Sequence, residues 1–310
     1  MLNQIKGLHH VTSLASSACV NNDFFTRVLG LRRVKKTVNF DHPEVYHLYY
    51  GDERGTPGTV MTYFPFPNAA RGKAGVGEAG TTAFSVPVGS LNAWAEHLAK
   101  HNVAALKQDT RFGQKRLTFS GPDGDALALV ETDDDTRSPW TENGLSEEIA
   151  IRGFHSAGMR LADDGASAEL LSFMGYEKLD QKDNVSRFIV PDGNDANVID
   201  IETFSGAEAA NQGAGSVHHI AFAVENRARQ IEVREALIDT GYAVTPVINR
   251  SYFHAIYFRT PGGVLFEIAT NEPGFDVDED TSCLGEALKL PAQHTHLREK
   301  LVRSLEPLAA

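Results

Sequence analysis

Apolar and polar positions follow one order four times along the chain. A short apolar strand leads each time, at 8–14, 81–88, 153–161 and 217–224. A segment with helical spacing follows. "NNDFFTRVLGL" sets Phe24, Phe25, Val28 and Leu29 between Asn/Asp start signals and Gly30. "SLNAWAEHLAKHNV" puts Leu91, Trp94 and Leu98 on one face behind Ser90 and stops at Asn102. "ASAELLSFMGY" and "RQIEVREALIDTGY" run into Gly175 and Gly241. A polar cap at the start and Gly or Asn just past the end mark helix boundaries. Hairpins then close each unit. "LTFSGPDGDALALVET" (117–132) and "IYFRTPGGVLFEIAT" (256–270) share a Pro-X-Gly turn between two strands, with a glutamate in the second. There Pro fixes φ and Gly accepts a positive φ. "RFIVPDGNDANVIDIET" (187–203) is a shorter relative, and "YHLYYGDERGTPGTVMTYF" (46–64) has a longer turn.

The repeating unit is therefore one strand, one helix and about three strands. The units are expected at 1–66, 80–133, 149–204 and 216–271. Small or polar linkers such as "PNAARGKAGVGEAG" and "SGAEAANQGAG" separate them. The acidic run Asp133–Asp135 reads as a solvated loop. Residues 272–310 form a tail with a helix expected from about 292 to 305, taken as a strap on the last unit, with a place over the active site or a subunit interface as the alternatives.

Composition changes this picture little. The chain has 310 residues and a net charge of −12, which excludes a general phosphate-backbone binder, so no nucleic-acid partner is expected. No window reaches the apolar length of a membrane span. Cys19 and Cys283 form no CxxC, and the start lacks a signal-peptide apolar core. A cytoplasmic setting and a homo-oligomeric state are the expectations.

Candidate chemistry enters with two doubled histidines inside apolar strands, "GLHHVTSLA" and "SVHHIAFAV". From the first strand to the glutamate of the last, His219 to Glu267 spans 48 residues, His155 to Glu202 spans 47 and Ala83 to Glu131 spans 48; His10 to Tyr63 spans 53. On the fourth unit's strand, alternation puts Ile220, Phe222 and Val224 on one face and His219, Ala221 and Ala223 on the other. His10 shares a face with Thr12. Two imidazoles and one carboxylate on one face are the ligand set of a 2-His-1-carboxylate metal site, and His9 and His218 fall at its rim or behind the ligands.

These stretches, with "LGLRRVKKTVNFDHPEVYHLYYGDERGTPGT", "YFRTPGGVLFEIATNEPGF" and "LPAQHTHLREKL", resemble the vicinal oxygen chelate superfamily. More narrowly they resemble its four-module hydroquinone-type ring-cleaving dioxygenases. The resemblance implies an α+β fold of four βαβββ modules in two open, barrel-like mixed sheets, with modules one and four sharing the site. It implies a non-haem Fe(II) centre (Mn(II) or another divalent metal in its place) held by His10, His219 and Glu267. It implies catalytic roles for His9, Thr12, His218, Arg250 and Tyr257, and a small aromatic substrate with O2. Relatives tend to carry Arg where this chain has His254, a difference that bears on substrate preference. His155 is the rival first ligand, since two-domain extradiol enzymes pair their third and fourth modules. A glyoxalase-like lyase or isomerase and a metal-free binding module are the competing classes.

Overall fold

The computed structural model describes residues 1–308. Its elements follow the repeat. Module one is β1 (Ile5–Ala15), α1 (Ala18–Asp23, prolonged by a π-helical turn Phe24–Val28), β2 (Arg32–Val38), β3 (Tyr46–Gly51) and β4 (Val60–Pro65). Module two is β5 (Glu78–Val86), α2 (Leu91–Lys100), β6 (Ala104–Arg111), β7 (Gln114–Ser120) and β8 (Ala126–Glu131). Module three is β9 (Gly153–Leu161), α3 (Gly165–Phe173), β10 (Glu177–Lys182), β11 (Val185–Ile189) and β12 (Val198–Thr203). Module four is β13 (Val217–Val224), α4 (Arg227–Asp239), β14 (Ile248–Asn249), β15 (Phe253–Arg259) and β16 (Leu265–Pro273).

Two curled, eight-stranded mixed sheets result. One runs β14-β15-β16-β13-β1-β4-β3-β2, the other β10-β11-β12-β9-β5-β8-β7-β6. In each, two leading strands pair antiparallel at the centre, β1 with β13 and β5 with β9. Each leading strand also pairs parallel with its own module's last strand, as β13 does with β16. Strand alternation sets what each face meets. Ile220, Phe222 and Val224 of β13 are fully buried in the main core with Val233 and Leu237 of α4. Each such apolar side chain contributes about 1.5–3 kcal/mol by leaving water. The opposite face carries the polar residues of the site. No helix among the described residues is long and apolar enough to cross a membrane.

Two expectations need correction. The tail packs on module one as well as on the last unit, where Asp278 accepts from the Tyr252 hydroxyl at 3.2 Å and Phe275 stacks on the Tyr252 ring. Lys35, fully buried on β2, bonds Asp278 and Glu279 at 2.7 and 2.5 Å. A buried ammonium needs carboxylates, and only the tail supplies them there. The tail also bonds back to module one through Lys36 and Phe40 carbonyls. Its end is a 3-10 segment, Ala292–Leu297, followed by α5 (Arg298–Ser304). The Asp133–Asp135 run is also not wholly solvated: the Asp135 side chain is 2 % exposed and pairs with Arg137 at 2.6 Å. Arg137 in turn donates to the carbonyls of Gly58, in the β3–β4 turn of module one, and Phe154, on β9 of module three.

Candidate metal centre

Three adjacent strands at the centre of the first sheet bring His10 (β1), His219 (β13) and Glu267 (β16) together. The Nε2 atoms of His10 and His219 lie 3.2 Å apart. Glu267 Oε2 is 2.9 Å from His219 Nε2 and 3.5 Å from His10 Nε2. Ala221 is the register partner of Glu267, so no bulky neighbour fills the space beside the carboxylate. All three side chains are buried, Glu267 completely. Burial alone would raise the Glu267 carboxyl, but His10 and His219 outweigh it and hold it well below the usual range.

The donor set fits a metal ion. Neither Glu267 oxygen is in hydrogen-bond geometry with any described group, despite the 2.9 Å approach of His219. Buried carboxylates are normally satisfied, and three lone-pair atoms converging within 4.8 Å call for a cation. No fourth protein ligand joins them among the described residues. The outer ring nitrogens support the same tautomers. His9 Nε2 lies 3.1 Å from the Thr270 carbonyl, which can only accept. His9 Nδ1 is then an acceptor, 2.9 Å from His10 Nδ1, so His10 donates from Nδ1 and keeps a lone pair on Nε2. His218 Nδ1 lies 2.8 Å from His219 Nδ1 in a matching arrangement. Burial, then the neighbouring His10, lowers His9 to about 3; burial, then His219, lowers His218 to about 4. Both are thus neutral partners that orient the inner pair.

The triad opens on a cavity of about 300 Å³. His218, Arg250 and Tyr257 line it. Arg250 Nε donates to the Tyr257 hydroxyl at 3.3 Å, and its guanidinium lies over the Phe40 and Tyr257 rings. Burial, then Glu267, pushes the Tyr257 phenol well above its ordinary value, so it stays a donor. His9 and Thr12 are not on the cavity wall. Thr12 bonds Thr62 at 3.1 Å behind the triad. His254 is also outside: β15 alternation turns Phe253 and Tyr257 to the cavity, and the His254 backbone N–H bonds Thr270 Oγ1 on the other side. Sequence reasoning missed His47, whose Nε2 meets Thr62 Oγ1 at 2.8 Å and whose Nδ1 meets the Tyr49 hydroxyl at 2.8 Å. It also missed Asn39 and Phe40 in the β2–β3 loop and Phe64 on β4. The only available signal was the aromatic and histidine density of "NFDHPEVYHLYY".

The register corrects the spacing argument. Ala221 pairs with Glu267 as Gly158 pairs with Asp200 and Thr12 with Thr62. Asp200 and Thr62, rather than Glu202 and Tyr63, therefore hold the glutamate position. Two residues before Gly158 stands Ser156, so Ser156 corresponds to His219 and His155 to His218. Module three has a shorter path between these strands, and a count of residues cannot see that. His155 lies in the second sheet, bonded to Gln114 and Ser156. There Arg187 takes Asp200 in a two-pronged pair at 2.8 and 2.9 Å. Glu131 accepts from the Gly89 N–H at the start of α2, and Glu202 pairs with Arg111.

Comparison with known proteins places this geometry. The family described as Glyoxalase/Bleomycin resistance protein/Dioxygenase superfamily matches residues 7–129 and 153–268. A Bacillus subtilis protein named "Putative ring-cleaving dioxygenase MhqO" is 39 % identical over 99 % of this chain and 98 % of its own. The chlorohydroquinone/hydroquinone 1,2-dioxygenase of Sphingobium indicum is 36 % identical over 97 % and 96 %. The crystal structure of a Bacillus subtilis protein described as a putative dioxygenase superposes with a TM-score of 0.95 at 38 % identity, covering 99 % of both chains.

Proposed function

The chain belongs to the glyoxalase/bleomycin resistance protein/dioxygenase superfamily, in its ring-cleaving dioxygenase family, and from that premise we propose that it opens a hydroquinone- or catechol-type ring with O2 at a mononuclear Fe(II). The observation that carries the reading is the buried His10–His219–Glu267 group, with no fourth protein ligand among the described residues, on the wall of an aromatic-lined cavity. Fe(II) held there would supply an open-sided Lewis acid that can also pass electrons between a phenolate and O2. Both atoms of O2 enter the product, so no external reductant is required.

The chain's own residues bind, orient and move protons. Phe40, Phe64 and Phe253 wall the cavity and hold a flat ring by stacking and edge contacts. His218 is neutral, faces His219 through Nδ1 and lines the cavity, so its ring is placed to exchange a proton with a substrate hydroxyl. Arg250 and the Tyr257 hydroxyl are donors for negative charge on a substrate oxygen. His9 acts through His10, fixing its ring and tautomer against Thr270.

The test is anaerobic loading with Fe(II), metal analysis, and O2 uptake over hydroquinone, methylhydroquinone and catechol. Stoichiometric O2 consumption with ring-opened product is expected. Iron-loaded protein that consumes no O2 with any of them overturns the reading, and O2-independent turnover of a thiohemiacetal substitutes the glyoxalase-type one.

A further inference from the structure

Asn39 stands at the end of β2 and is 8 % exposed. Its Oδ1 accepts from the backbone N–H groups of Asp41 at 2.8 Å and His42 at 3.1 Å. Backbone N–H groups can only donate, so these contacts settle which branch of the amide is oxygen. The other branch, the Nδ2 with its two donors, has no partner among the described residues, and Asn39 lines the cavity of the triad. Nδ2 opens on the cavity, where a ligand oxygen can replace water as its acceptor.

The loop that carries it is rigidly held. The Asn39 N–H bonds the Val45 carbonyl and the Val45 N–H bonds the His42 carbonyl, at 2.8 and 2.9 Å. From outside, Gln293 and His294 of the tail hold the Phe40 carbonyl at 3.1 and 2.8 Å. The triad sits on central strands, whereas this loop leaves the edge strand β2 and meets Arg250 from the opposite edge, where Asp41 lies 3.9 Å from Arg250. Asn39 therefore faces the cavity from the loop and the triad faces it from the central strands.

We propose that Asn39 is a specificity-determining residue whose Nδ2 donates to an oxygen acceptor on the ring, on the side away from the oxygen held at the triad. The assignment rests on reading the cavity as an aromatic-substrate site. The orienting contacts spend Oδ1 on the loop and leave only donors for the ligand. A hydroxyl, carbonyl or carboxylate oxygen opposite the metal-held hydroxyl satisfies them, and an alkyl group does not.

The substitution Asn39→Asp tests this, because it keeps an oxygen for the Asp41 and His42 amides and removes both donors. Binding to Fe(II)-loaded protein is measured anaerobically by calorimetry, at a pH low enough to keep both phenols protonated in solution, with two probes of similar shape, 4-hydroxybenzaldehyde and 4-ethylphenol. The aldehyde Kd should rise about tenfold or more, as loss of one buried hydrogen bond implies, while the ethylphenol Kd stays within about twofold. Asn39→Ala, which also releases the loop, should weaken both. Equal shifts for the two probes in Asn39→Asp, or none for either, overturn the assignment. Wild-type protein that binds neither probe overturns it together with the aromatic-substrate reading. Selective binding without O2 uptake on any hydroquinone leaves Asn39 in place and removes ring cleavage alone.

Discussion

Glu267 shows how much one residue's surroundings decide here. A fully buried carboxylate without hydrogen-bond partners is unstable unless a cation faces it, and two imidazole lone pairs point at the same spot. Glu267→Gln keeps the shape and removes the charge. Metal content by mass spectrometry should fall from one equivalent to below about a tenth, since outer-sphere changes alone already cost 10–100-fold in affinity. His155→Ala should keep full metal, because His155 sits in the second sheet against Gln114. Full metal in Glu267→Gln sinks the ligand assignment. At this scale the doubled histidines were legible, since two imidazoles in an apolar strand have few other uses and alternation separates inner from outer. Asn39 and His47 were not. Their importance comes from which atoms their neighbours occupy, and no spacing records that.

Among elements, the β2–β3 loop and the tail form a unit that the sequence divides by more than two hundred residues. Lys35 is its pivot, 0 % exposed, capped by Asp278 and Glu279 and lying 4.7 Å from the Tyr252 ring centre. Lys35→Met leaves Glu279, 3 % exposed, as an uncompensated buried charge. Stability should drop by about 3–5 kcal/mol in urea unfolding. Adding Glu279→Gln should recover much of it, because the penalty lies in the orphaned charge rather than in the missing bond. A double variant no more stable than Lys35→Met would contradict this account. The element pattern itself was legible: strands and hairpins follow apolar period and Pro-X-Gly turns, and helices stop at Gly30, Asn102, Gly175 and Gly241. The helix starts were not: α1 begins at Ala18 behind Ser17, ahead of the Asn/Asp signals, and Ser90 makes no side-chain cap. The tail's partner was hidden because nothing local to 272–310 specifies Lys35. The strand register was hidden because loop lengths differ between modules, which turned a residue count into the wrong pairing of Glu202 with Glu267.

At the scale of the molecule, the two sheets are joined through buried polar ties as well as one apolar core. The Tyr63 hydroxyl donates to Asp125 at 2.8 Å, Asn194 Nδ2 to the Leu8 carbonyl at 2.8 Å, and Arg137 to both Gly58 and Phe154. The main core cluster runs through both halves. The sheets should therefore unfold together, and a titration in one should be felt in the other. His155 provides the lever. Burial, then Arg187, lowers it to about 4, against 6.5 for the exposed group, with Gln114, Asp200, Asp135 and Arg137 around it. Between pH 6.5 and 4 the unfolded chain takes up a proton at this site that the folded chain refuses. Unfolding free energy then falls as pH falls, by up to about 1.4 kcal/mol per pH unit and about 3 kcal/mol in all. The contribution is fully present above pH 6.5 and gone below pH 4. In metal-free protein His9 and His218 add to the same slope, so the difference between wild type and His155→Gln isolates this one. His155→Gln should flatten the pH dependence by about one proton. Hydrogen exchange in β1 and β13 should register the change as fully as exchange in β5 and β9, although His155 touches only the second sheet. Protection that shifts in β5 and β9 alone would mean two independent folding units joined by a linker, and metal bound in the first sheet would then leave the second no more stable.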